Sequence, residues 1–177
     1  SVAKHLALQL PKVKDTALTR VPLVYVDTAG AGFEEGWDEG LQSRENEGEA
    51  KLAVGLLSEL LDAGIRPRDV ALITPYVAQV KRLKAAVQEP GVEVGTVDGF
   101  QGREKEVVIL SLVRSNDKGE VGFLEDTRLM NVALTRARRL LIVIGDSATI
   151  TRHPLYAAFT DYTEKIQATR SAWEWIQ

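Results

Sequence analysis

The sequence predicts an α/β fold built on a doubly wound parallel sheet with helices on both faces. Three observations lead there. Short apolar runs alternate with stretches whose apolar residues recur every three or four positions. One run, Glu106–Val113 (EVVILSLV), is apolar almost throughout, as a strand covered on both faces must be. Strands that alternate with helices need crossover connections, which are right-handed and bury the sheet between two helical layers. At 177 residues and 19.5 kDa the chain is one ordinary domain with length enough for a core.

Taken in order, residues 1–20 read as a short helix, Val2–Leu10, followed by a polar connector, and the domain proper runs from 21 to 177. Leu23–Asp27 (LVYVD) is a buried strand. Asp27–Gly40 places Gly30, Gly32, Gly36 and Gly40 among acids and reads as an irregular loop. Glu45–Ala63 is helical, because Ala50, Ala53, Val54, Leu57, Leu60 and Leu61 share one face; Gly64 and Pro67 stop it. Val70–Thr74 (VALIT) is a strand, Tyr76–Gln88 a helix, and Val92–Val97 a short strand. After Glu106–Val113 comes a helix, Asp126–Arg138, with Met130, Ala133, Leu134 and Ala137 on one side. Leu140–Gly145 (LLIVIG) is the last core strand and Pro154–Ile166 the last helix. In such sheets ligands sit beyond the carboxyl ends of the strands, so function is sought there.

Composition narrows the chemistry. Hydrophobic residues make up 45% and charged residues 27%, which excludes a wholly disordered chain. With no cysteine, disulfides, thiol nucleophiles and thiolate metal sites are excluded. His5 and His153 are too far apart in sequence for a His-rich motif, so no metal site is expected. No apolar run reaches the roughly 20 residues that span a bilayer, and no signal-peptide pattern opens the chain. The expectation is therefore no membrane partner, with the cytoplasm as default compartment and a nuclear pool if the source is eukaryotic. The only methionine is Met130, as expected for a domain cut from something longer. Net charge is −3, but residues 34–49 hold seven acids and one base, leaving 21 basic against 18 acidic residues elsewhere. Within it, residues 34–40 read as a solvated loop. With so small a basic excess, a binding site has to be argued from clustering.

Three clusters could carry chemistry. Thr74-Pro75-Tyr76 follows a strand and opens a helix: either a well-capped crossover helix or an anion site at its N-terminus. Gly95–Glu106 packs two glycines, Gly99 and Gly102, into a dense polar connector; it is either a surface loop or a loop that lets backbone approach a ligand, with Arg103 and Glu104 meeting phosphate and ribose. Arg128–Arg139 carries four arginines. Arg136, Arg138 and Arg139 either complement a helix dipole in its last turn or offer rigid forks to phosphate oxygens. No lysine follows a glycine, so no phosphate loop of the G-x-x-x-x-G-K-[ST] kind is present, and no strand ends in the paired acids a magnesium site needs.

Taken together, ALITPY, VGTVDGFQGREKEVVILSLVRSN and MNVALTRARR resemble motifs IV, V and VI of the second RecA-like motor domain of superfamily 1 helicases of the Upf1-like group. The likeness extends from SVAKHL through KGEVGFLED to RSAWEW, nearly the whole chain. It implies a RecA-like sheet and an ATP-driven, 5′→3′ motor on single-stranded RNA or DNA. It implies ATP with Mg2+, whose ligands belong to a first RecA-like domain of the same polypeptide, and a monomer. By position, Arg136 corresponds to the arginine finger that reaches the γ-phosphate across the cleft. Glu104 corresponds to a nucleotide-contacting acid bordered by Gln101, Gly102 and Arg103. Thr74, Pro75, Tyr76, Thr96 and Asn131 match nucleic-acid-binding positions, which hold the backbone and read no sequence. Leu129 departs from the pattern, standing where relatives usually carry an arginine. The rival expectation is a non-catalytic RecA-like interaction or scaffold module.

Overall fold

The computed structural model describes residue 10, residues 12–100 and residues 103–176. The expected helix Val2–Leu10 lies outside the described residues except for Leu10.

Apolar runs become strands where the sequence places them. β1 is Leu23–Asp27, β4 Val70–Thr74, β5 Glu93–Thr96, β6 Lys105–Ser111 and β7 Ala137–Gly145. With β8, Thr169–Ser171, they form one parallel six-stranded sheet in the order β5-β4-β6-β7-β1-β8. Alternation along each central strand divides the core in two. Val70, Leu72, Val107, Ile109, Leu140 and Ile142 face α1 (Glu47–Asp62) and α2 (Val77–Ala86). Ala71, Ile73, Val108, Leu110, Leu141 and Val143 face α3 (Arg128–Arg136), α4 (Ser147–Ile150) and α5 (Pro154–Lys165). Each fully buried Leu or Ile here contributes about 1.5–3 kcal/mol relative to exposure, so the sheet holds itself between its helices.

Four expectations need correction. Residues 34–40 are not an irregular solvated loop. Gly36–Asp38 (β2) and Ser43–Glu45 (β3) form an antiparallel hairpin, and two of the acids in and beside it are held by arginines. Glu45 binds Arg82 at 2.9 Å, and Glu35 binds Arg114 at 3.0 Å with both side chains buried. Asn46 caps α1 by accepting from the Glu49 N–H, and Glu49 is fully buried. The helix expected over Asp126–Arg138 ends at Arg136, because Ala137 enters β7 opposite Lys105. Arg138 and Arg139 are thus strand residues, paired with Glu104 and Glu106 on the adjoining chain, not a helix-dipole complement. The run expected to continue as strand to Val113 stops at Ser111. Val113 takes φ 72°, and its N–H donates to Glu49 while its carbonyl accepts from Asn46. Two buried polar side chains capture the backbone and end the strand. Finally, β8 was not expected: TRS has no apolar run, and only its pairing with Tyr25–Asp27 makes it a strand.

Candidate nucleotide and nucleic-acid faces

The sequence-selected residues separate onto opposite ends of the sheet. The expectation that all of them lie beyond the carboxyl ends holds for one group only. Thr74 and Thr96 are the last residues of β4 and β5. Glu104, Arg136 and Arg138 lie at the other end, where β6 and β7 begin with Lys105 and Ala137. The reason is covalent. The chain after β5 must return to the amino end of the sheet to start β6 in parallel, and α3 returns to start β7 with no intervening loop.

At the amino edge, Arg136 is placed by a chain of contacts that begins with a glycine. A Cβ on Gly95 would lie 2.8 Å from the Phe100 ring, so only glycine lets that ring tuck in, 3% exposed. The Phe100 carbonyl then accepts from the Arg136 Nε at 2.9 Å. Neighbouring cations are neutralised. Arg103 and Lys105 pair with Glu93 at 3.3 and 2.9 Å, Arg138 pairs with Glu104 at 3.0 Å, and Arg139 pairs with Glu106. Arg136 is half-buried and has no carboxylate partner among the described residues. It is a positioned charge held by a carbonyl and by Thr135 Oγ1 at 3.4 Å. Arg103 also donates to the Gly99 carbonyl at 2.8 Å, which folds the connector on itself. Arg103 and Glu104 are exposed. Gln101 and Gly102 lie outside the described residues.

At the carboxyl end, Pro75, Thr96, Asp98, Phe123, Arg128 and Val132 are among the residues lining a cavity of about 470 Å³. Motif-IV-like, motif-V-like and motif-VI-like segments therefore meet at one opening. Thr74 does not take part through its hydroxyl, which is fully buried and accepts from the Tyr76 N–H at 3.4 Å. Nor does Thr74 cap α2: Tyr76 is the capping residue and makes no side-chain cap bond. Tyr76 is buried with its ring stacked under Phe123, centroids 5.1 Å apart. Asn131 is exposed on α3 and does not line the cavity. Leu129, where an arginine was looked for, is 5% exposed and packs into the core facing α3 while lining the cavity.

Sequence reasoning missed the support beneath this opening. The Glu35 carboxylate accepts from Arg114 Nε, the Ser115 N–H and Asn116 Nδ2, all within 3.0 Å. Arg114 then donates to the Tyr76 hydroxyl at 3.3 Å. Burial raises the Tyr76 pKa, against the opposing pull of Arg114, so its phenol stays protonated. These partners are about 40 or 80 residues apart in the chain, and no local pattern announces them. Among the described residues, no cluster of three or more His, Asp or Glu could hold a metal ion, and no helix is long and apolar enough to cross a membrane.

Comparison with known proteins agrees with these motifs. An AAA domain model matches residues 2–148. The chain is 48% identical over 178 residues to the DNA-binding protein SMUBP-2 of Mus musculus, covering 99% of this chain and 18% of that protein. It is 46% identical to the DNA polymerase alpha-associated DNA helicase A of Schizosaccharomyces pombe, covering 84% of this chain and 24% of that one. It is also 41% identical to the regulator of nonsense transcripts 1 of Dictyostelium discoideum over 120 residues, 63% of this chain and 9% of that protein. The chain thus spans less than a quarter of the length of each of these relatives. On the strength of the matched model and of these relatives, the chain belongs to the AAA domain family and, within it, to the Upf1-like superfamily 1 helicases.

Proposed function

We propose that this chain is the second RecA-like motor half of an ATP-dependent helicase that translocates 5′→3′ on single-stranded RNA or DNA. In this reading it works as a monomer, facing a first RecA-like domain of the same polypeptide. That domain supplies the phosphate loop and the Mg2+ ligands. ATP would bind between the halves, where Mg2+ held by that first domain would supply charge neutralisation. From this side Arg136 acts as the finger. Glu104, with Gln101, Gly102 and Arg103 beside it, borders the nucleotide. Pro75, Thr96 and Asn131 border the strand, with Tyr76 and Thr74 as the buried frame beneath them.

One observation carries the reading: among the described residues, Arg136 is the cation of this edge that has a fixed anchor and no carboxylate. An arginine finger must present uncompensated charge at the moment charge spreads over the γ-phosphoryl oxygens. A guanidinium already paired with an acid would have to break that pair first. Arg138, paired with Glu104, is in that second condition.

Arg136→Ala, in a polypeptide that carries both halves, tests it. A finger's removal lowers kcat by roughly 10³-fold or more and leaves nucleotide-free strand affinity unchanged, since Arg136 is at the other end of the sheet from the strand face. If Arg136 only completes a helix end, the loss is about 0.3–1 kcal/mol of stability and kcat stays within about threefold. That second outcome would remove Arg136 from the catalytic residues.

A further inference from the structure

Phe123 lies in a segment, KGEVGFLED, to which the motor reading gives no role. It is 64% exposed, in a short 3-10 turn over Gly122–Glu125. A large ring so exposed is ordinarily mobile, yet this one is held on one face. It stacks on Tyr76 with the planes 22° apart, and its backbone N–H donates to the Tyr76 hydroxyl at 3.3 Å. That seat depends on Gly122, which has φ 53° and whose absent side chain leaves room for Arg114 and the Tyr76 hydroxyl. Arg114 is fixed in turn by the buried Glu35. A chain of buried contacts therefore ends in one seated aromatic, which lines the cavity together with Thr96 and Pro75.

We infer that Phe123 is a stacking platform for one nucleobase of the bound single strand, seated in the 470 Å³ cavity between Phe123 and Thr96. The inference rests on the strand-binding reading above. The charges of the cavity choose the part of the strand that enters. Its ionisable lining groups are Asp98, Asp126 and Arg128, and Arg128 is already paired with Asp126 at 2.8 Å. What remains is Asp98, so a phosphate is repelled, whereas a neutral base is accepted and the backbone stays at the Thr96 rim. Every base has a π-face, so a stacking site adds affinity without reading sequence, as a translocating motor requires. The volume suits one base and does not suit a duplex.

The test measures binding of this chain, at low salt, to a labelled single-stranded oligonucleotide and to a strand of equal length whose bases are replaced by abasic sites. Phe123→Leu keeps apolar bulk and removes the π-face; Phe123→Trp restores it. The expected result is that Phe123→Leu weakens binding of the intact strand by about tenfold, the size of about 1.4 kcal/mol. Binding of the abasic strand does not change, and Phe123→Trp binds the intact strand like the wild type. Equal loss on both strands, or no loss on either, overturns the inference while leaving strand binding intact. Failure of the wild-type chain to bind either strand would instead refute the strand-binding reading on which the inference rests.

Discussion

Gly95 shows how much one residue can carry. Its missing Cβ admits Phe100, the Phe100 carbonyl anchors Arg136, and Arg136 is left without an acid. Gly95→Ala forces the ring away from β5, an overpacking of the kind that costs about 1–3 kcal/mol. The expected outcome is a lower thermal midpoint. In the two-domain protein it also lowers kcat without a matching change in strand affinity, because the displaced carbonyl no longer aims the guanidinium. A midpoint and a kcat both equal to wild type would show that the contact gives way easily. The sequence had already marked Arg136 and Glu104 by motif. It did not mark Gly95, because a glycine in a short strand looks the same whether it admits a ring or merely weakens the strand.

Among the elements, α1 illustrates what periodicity can and cannot tell. Its apolar face was legible from Ala50, Ala53, Leu57 and Leu60, and its ends fell within two residues of expectation. Its polar end was not legible. Asn46, Glu49, Gln79 and Ser111 form one buried network, in which Glu49 accepts from Ser111 at 2.8 Å and from the Val113 N–H at 2.9 Å. A glutamate between Gly48 and Ala50 looks like a first-turn acid helping the helix dipole, and only the tertiary fold reveals that it is enclosed. Burial pushes its pKa up to about 8, although both hydrogen bonds pull it down. An unfolded glutamate titrates near 4.5, so between these values the folded chain holds the extra proton. Stability therefore falls as pH rises from about 5 to 8, at up to about 1.4 kcal/mol per pH unit. Glu49→Gln, which stays neutral, should remove that slope. Denaturant midpoints of both proteins across this range are the measurement, and parallel profiles would show that Glu49 stays ionised in the fold. The hairpin β2–β3 was equally hidden. Its glycines and acids suggested solvent, whereas two of the arginines that order it, Arg82 and Arg114, lie far along the sequence.

At the scale of the molecule, the two proposed faces lie at opposite ends of one sheet, with the apolar strands β4, β6 and β7 between them. Those strands are buried on both faces and packed to crystal-like density, so the ends move together as one body. A displacement of the Arg136 end against a nucleotide must then also displace the Thr96 end along a strand. This is the rigid coupling that a motor half needs, and the coupling has no partner to work against in this chain alone. The chain lacks a phosphate loop, and its described residues have no acid cluster for a metal. Purified, it should show no ATPase above background, with or without single strands. Its strand binding should be weak, almost blind to sequence, and steeply weakened by salt, with log affinity falling by about 0.7 per phosphate engaged for each tenfold rise in salt. The stacking contact at Phe123 adds a component that salt does not screen. Phe123→Leu should consequently lower affinity by the same factor at low and high salt, leaving the slope unaltered. Fluorescence anisotropy over a salt series decides the matter. Nucleic-acid-stimulated turnover by the chain alone would sink the half-motor reading, and a slope that flattens in Phe123→Leu would mean that the ring positions a phosphate contact instead of a base.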